Sequence, residues 1–332
     1  MNWIHDHFET IEGFPRPNWE TINNVVEQKY QNNDKNEVWC EISKTWVDKI
    51  KSVLSSGHSI YESPNFLILT SENSEYSNNL LKFLENARLG ILKTLKDIAN
   101  DEGYGKHIVL IFDSIDKYYS YISYYYPEEG EFGFSSGTYL NKGYGHFAFP
   151  HQEMSYAKAI VAHELSHALL DHLPLPAWLN EGIAVNIENM FVGSAPLTMD
   201  KEIHTKHKKF WDKIKIQEFW SGESFSRPDE AQELSYHLAQ FLVHSLSNDL
   251  ESFKSFVNTA TFSDGGEEAA SKIYDDTLGS LISQLLGKGE WAPQPQIWEN
   301  NESTNTKDSN NGMQPTPSST GLRIKSTGYR TS

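Results

Sequence analysis

The sequence predicts a mixed α+β protein, with a small mixed sheet within residues 60–150 and a mostly helical half over residues 153–290. Three observations carry this expectation. Two short apolar runs, Asn65–Thr70 and His107–Phe112, read as buried strands, and each is followed by helical spacing. A glycine-containing stretch between Gly130 and Pro150 holds two further strand candidates, and beyond it every apolar pattern repeats at helical period.

The elements follow in order. Residues 1–20 contain Pro15 and Pro17 with little periodicity and read as a loop or docked arm. Val38, Ile42, Trp46, Ile50 and Leu54 then mark an amphipathic helix, so residues 1–59 are expected to form an N-terminal helical extension. The strand at 65–70 leads into a long helix over 74–99, carried by Leu80, Leu81, Leu84, Ala87, Ile91 and Leu95. The strand at 107–112 leads into a tyrosine-rich helix over 113–126, read as an aromatic packing face. Residues 136–140 and 143–149 are arranged as a hairpin around Asn141-Lys142. Further helices are expected over 201–213, 235–246, 251–259 and 267–286. From Ala292 the chain turns to Pro, Asn, Ser, Thr and Gly, a composition too poor in large aliphatic residues to offset its ordering entropy, so 291–332 is expected to be a disordered tail. The main domain is thereby bounded at 60–290.

The 332 residues carry a formal net charge of −17. From Ala292 onward four basic residues stand against three acidic ones, a balance of +1, which leaves −18 on the rest. Such a body repels phosphate backbones and anionic lipid, which argues against nucleic acid and membrane partners. Cys40 is the single cysteine, so a disulfide within the chain and a cysteine-ligated metal site are both excluded, and it reads as a packed core thiol. No stretch approaches the roughly twenty apolar residues of a membrane span, and Met1–His7 has no basic segment followed by an apolar run. The expected location is the cytoplasm.

The chemistry concentrates in Ala162–Leu170, A-H-E-L-S-H-A-L-L. On a helix, His163 and His167 stand one turn apart on one face, able to reach a single ion, and Glu164 projects beside them. A hydrolytic zinc site needs one more protein ligand and an open position for water. Glu181 is the candidate, fourteen residues on, past Leu173-Pro174-Leu175-Pro176, whose prolines stop one helix and let another start at a new angle. Glu164 is the expected general base.

His163-Glu164-Leu165-Ser166-His167 followed by Trp178-Leu179-Asn180-Glu181-Gly182-Ile183-Ala184 resembles the gluzincin metallopeptidases, in particular the peptidase MA-like domains and more distantly the aminopeptidase N family. The resemblance implies a gluzincin-like fold, one Zn2+ per chain held by His163, His167 and Glu181, and a peptide or protein substrate. It also implies an oxyanion donor from a tyrosine that opens a later helix. Tyr236 occupies that place, with His237 as a competitor, although the family's Y-x-K-G-A pattern lacks its Lys-Gly pair here. A residue orienting the ligands is expected at Glu188 or Asp171. In the family the strand entering the metal helix forms the sheet edge and pairs with substrate, which points to Gly143–Phe149. No match to the aminopeptidase G-x-M-E-N motif lies between Gly130 and Gln152, so an endopeptidase is expected rather than an aminopeptidase.

Two other readings stand beside this one: a partner-binding module that keeps the metallopeptidase fold without turnover, and a metal-dependent hydrolase of a non-peptide substrate. The cluster His204-Thr205-Lys206-His207-Lys208-Lys209 reads as a solvated basic face, because adjacent lysines repel a cation. Residues 321–332 regain Arg323, Ile324, Lys325 and Tyr329, which fits a short motif for an unknown partner or an idle tail.

Overall fold

Short apolar runs buried on both faces build the central strands of the sheet, as seen in a computed structural model that describes residues 2–54, 56–126, 136–193 and 199–298. The architecture is mixed α+β, and the described residues divide into two units. The first lies within residues 2–94 and 99–169, the second within 95–98 and 170–298.

The first unit opens with a 3-10 turn and a hairpin, β1 (Phe8–Ile11) against β2 (Phe14–Pro17). Glu12 and Gly13 both have positive φ, 51° and 79°, the geometry of a tight two-residue hairpin turn. Helices α1 (Trp19–Lys29) and α2 (Asn32–Val53) follow. The five-stranded sheet runs in the order β3 (Ser59–Glu62), β4 (Phe66–Thr70), β5 (His107–Phe112), β7 (His146–Pro150), β6 (Thr138–Leu140). β4, β5 and β7 are parallel, and the outer strands β3 and β6 pair antiparallel to their neighbours. Helix α3 (Ser74–Thr94) connects β4 to β5, and α4 (Ile115–Ile122) follows β5.

Leu67, Leu69, Ile108, Leu110 and Phe112 share one core with Trp39, Ile42, Trp46 and Ile50 of α2 and with Tyr118 and Tyr121 of α4. The chain before residue 59 therefore packs in the same core as the sheet. The intervening residues Phe66, Ile68, Val109, Ile111, Phe147 and Phe149, which alternate to the other face, are also buried, so both faces of these parallel strands are covered. Against Phe149 lies α5 (Met154–Leu170): a Cβ added to Gly137 would fall 2.5 Å from Ile160 and 3.0 Å from Phe149. Arg16, only 4% exposed, threads into the tyrosines of α4 and the turn after it. Its Nη2 donates to Tyr121 O at 2.8 Å, and its guanidinium lies 4.3–5.1 Å from the rings of Tyr121, Tyr124 and Tyr125.

The second unit is helical: α6 (Ala177–Val192), α7 (Lys201–Phe210), α8 (Lys215–Ser221), α9 (Glu230–Leu246), α10 (Leu250–Thr259), α11 (Glu267–Tyr274) and α12 (Leu278–Leu286). Pro176 stands at the N-cap of α6 and Gly193, at φ 67°, ends it. α6 and α9 approach closely at Gly182, where an added Cβ would lie 2.6 Å from Ala239 O. Asn186 Nδ2 ties the pair together, donating to Gly182 O and Gln240 O at 2.7 and 3.1 Å. The single helix expected over 267–286 is two, because Asp275 turns to φ 52° and Thr277 caps a new start.

Two further expectations are corrected. Residues 292–298 are not a disordered run: Gln217 of α8 donates to Ala292 O at 2.9 Å and accepts from the Gln294 N–H at 2.8 Å, and Trp220 Nε1 donates to Trp291 O at 2.7 Å. The remainder of the tail, 299–332, lies outside the described residues. Cys40 is half-buried on α2 rather than fully packed. Among the described residues no helix is long and apolar enough to cross a membrane.

Candidate metal centre

Helix α5 turns Ala157, Val161, Leu165 and Leu169, spaced four apart, into the core. That registration leaves His163, Glu164 and His167 half-buried on the remaining surface. The two imidazoles stand edge to face with centroids 4.8 Å apart, the arrangement that i, i+4 spacing dictates. Ser166, between them in sequence, is buried and donates to Ala162 O at 2.9 Å. The last turn of the helix is tied by Asn100, whose N–H donates to Leu169 O at 2.8 Å.

Glu181 is the fifth residue of α6, half-buried, between the fully buried Trp178-Leu179 pair and Gly182-Ile183-Ala184. Trp178 anchors the start of the helix by donating from Nε1 to Gly265 O at 2.9 Å. His163, His167 and Glu181 each offer one ligand atom, and these atoms all lie within 4.8 Å of one another. Two imidazole nitrogens and one carboxylate oxygen are the donor set of an open tetrahedral zinc, whose neighbouring donors stand about 3.4 Å apart for bonds of about 2.1 Å. The residues present therefore fit such an ion.

Glu164 is held from the other side. Its Oε2 accepts the backbone N–H of Tyr139 on β6 at 2.6 Å. Since Tyr139 is registered opposite Phe147 on β7, an N–H directed to Glu164 is one that the β6–β7 ladder does not use. The expected pairing strand, Gly143–Phe149, is corrected here: β7 is flanked by β5 and β6, and among the described residues β6 stands at the end of the sheet.

Tyr236 does not open a helix. Asp229 caps α9, accepting from Ala231 N at 3.0 Å, so Tyr236 lies in its second turn, half-buried and edge-on to Phe225 at 5.3 Å. Glu188 is half-buried on α6, and Asp171 is the first residue beyond α5.

The solvated face expected around His207 is also corrected. His207 is fully buried, with Nδ1 accepting from Trp211 Nε1 at 2.9 Å and Nε2 2.9 Å from His237 Nδ1. His204 Nε2 donates to Leu285 O at 2.7 Å. Thr205, Lys206, Lys208 and Lys209 are the exposed members of that cluster. The signal available in the sequence was Phe210-Trp211, three and four residues after His207, which continues an apolar stripe through it.

No protein-family model matches the chain, and no curated protein matches it.

Proposed function

We propose that this chain is a zinc-dependent metallopeptidase of gluzincin type, acting on peptide bonds within a chain. The observation that carries the reading is the convergence of His163, His167 and Glu181 donor atoms, with Glu164 one residue from the first histidine. Zinc bound there would supply a Lewis acid for the scissile carbonyl and would lower the pKa of a water to about 7.

The chain's own groups do the rest. Glu164 takes the proton of the attacking water and returns it to the leaving amine, which requires a carboxylate fixed in one rotamer. The Tyr139 N–H supplies that fixation through a charge-assisted hydrogen bond. An extended substrate lies along β6, and Tyr236 donates to the carbonyl oxygen as negative charge develops on it. The intact Glu164 favours turnover over a binding module that merely keeps the fold. The test is zinc content of the purified protein together with cleavage of a diverse peptide library. Zinc at one per chain with internal cleavage supports the reading, and protein that takes up no zinc after reconstitution contradicts it.

A further inference from the structure

Pro293 and Pro295 fix two φ angles in the segment Trp291–Trp298 and remove two N–H groups, so the segment fits neither a helix interior nor a strand ladder. Its remaining backbone groups must find partners among side chains. Gln217 of α8, only 4% exposed, supplies both a donor and an acceptor, as a neighbouring backbone would. Its Nε2 donates to Ala292 O at 2.9 Å, and its Oε1 accepts from the Gln294 N–H at 2.8 Å and from Trp298 Nε1 at 3.2 Å. Trp220, three residues on along α8, donates from Nε1 to Trp291 O at 2.7 Å. Two glycines make the room: an added Cβ would lie 2.8 Å from Ala292 N at Gly279 and 3.3 Å from the Trp298 ring at Gly265.

The same contacts reach the first turn of α6. Gly265 O, beneath the strap's Pro293 and Trp298, accepts from Trp178 Nε1 at 2.9 Å, and the Trp178 ring stands edge to face with Trp220 at 5.6 Å. Gly222, which ends α8 at φ 92°, lies so close to Ala177 that an added Cβ would fall 2.8 Å from the alanine Cβ. Trp178 precedes Glu181 by three residues, about one helical turn. We propose that Trp291–Trp298 is a strap whose docking on Gln217 and Trp220 fixes the first turn of α6 and so positions Glu181 for the metal. Undocking the strap then lowers metal affinity without touching a ligand. The role of Glu181 as ligand rests on the metallopeptidase reading; the link from the strap to α6 does not.

The experiment uses the full chain and two variants, Gln217→Leu and Trp220→Phe, the second of which keeps its ring against Trp178 and loses only the N–H to Trp291 O. Tyr274→Phe removes a hydrogen bond to Leu246 O elsewhere in the same unit and controls for a general loss of stability. Amide hydrogen exchange on the metal-free protein, read well below the melting midpoint, is expected to quicken at residues 177–183 in both strap variants and not in the control. Exchange there that stays at the wild-type rate, or quickens equally in Tyr274→Phe, overturns the link. Zinc affinity, measured by competition with a chromophoric chelator, is expected to fall roughly 10–100-fold in Gln217→Leu, as for loss of a group that orients a ligand, and less in Trp220→Phe. Faster exchange at 177–183 with wild-type zinc affinity in both variants overturns the positioning of Glu181. A wild type that binds no zinc removes the positioning role together with the metallopeptidase reading, and the exchange rates alone then decide the link.

Discussion

The backbone N–H of Tyr139 donates to Glu164 Oε2 at 2.6 Å, joining the strand at the end of the sheet to the helix that carries the two candidate ligand histidines. A hydrogen bond to a charged group contributes about 1.5–3 kcal/mol, enough to hold one rotamer against the others. Tyr139→Pro removes this donor on an outer strand, at an N–H that the ladder does not use, where proline is tolerated. The rate of peptide cleavage is expected to fall roughly tenfold to a hundredfold, the equivalent of that energy. Tyr139→Phe retains the N–H and is expected to keep the wild-type rate.

The proposed ligand set is tested separately from the proposed base. His163→Ala, His167→Ala and Glu181→Ala each leave two donors of three and are expected to lose bound zinc, measured as metal per chain after gel filtration. A chelator is expected to abolish cleavage in the wild type, and added zinc to restore it. A Glu181→Ala protein that holds zinc as tightly as the wild type would remove Glu181 from the site.

Gly182 permits the contact between the helix of Glu181 and α9. An added Cβ would meet a backbone oxygen, Ala239 O at 2.6 Å, which cannot swing aside as a side chain can. Gly182→Ala is therefore expected to destabilise the second unit by about 1–3 kcal/mol despite the better helix propensity of alanine. Differential scanning calorimetry should show a melting midpoint lower by several degrees, and zinc affinity should fall with it. An unchanged midpoint would mean that α6 and α9 can separate at no cost.

Two buried histidines make stability fall in acid. His146 Nδ1 donates to Tyr144 O and its Nε2 accepts from Tyr121 Oη, both at 2.7 Å, and burial pushes its pKa down to about 3. His207 is pushed down to about 4 by burial and its histidine neighbours. Both groups have an ordinary pKa of 6.5, so between that value and the folded pKa the unfolded chain holds a proton that the folded chain does not. Their stabilisation is fully present above pH 6.5 and is lost as pH falls toward 4 for His207 and toward 3 for His146, at about 1.4 kcal/mol per pH unit for each. Urea unfolding between pH 4.5 and 7.5 should show midpoints that drop steadily below pH 6.5. Midpoints that do not change across that window would contradict the burial of both rings as neutral groups.

The helix of the candidate metal centre was legible because three constraints coincide in nine residues: an apolar stripe at spacing four, two histidines at the same spacing, and a glutamate between them. β4 and β5 were legible as unbroken apolar runs. The N-terminal hairpin was not, because Pro15 and Pro17 read as strand breakers. In the fold they alternate with Phe14 and Arg16, so their missing N–H groups fall where the hairpin ladder needs none. β6 and β7 were found as a hairpin but assigned the wrong neighbour, since which strand stands at the end depends on β5 pairing with β7, a contact between positions 38 apart in sequence (Ile108 with His146). His207 was hidden by the lysines around it: charge along the sequence says nothing about which side of a helix each residue occupies until the buried stripe is known. Glu164 could be singled out from the motif, but its partner Tyr139 could not, because a backbone N–H leaves no trace in a sequence.

Glu164→Gln, compared with the wild type at matched zinc content, tests the central claim most directly. The amide is nearly isosteric and not a zinc ligand, so His163, His167 and Glu181 keep the ion, but it cannot accept a proton at neutral pH. The hydrolysis rate of a confirmed peptide substrate is expected to fall at least about a hundredfold and as much as about ten-thousandfold, with one zinc per chain retained. A Glu164→Gln protein that retains zinc and cleaves that peptide at the wild-type rate would contradict Glu164 as the base and, with it, the mechanism proposed for this site.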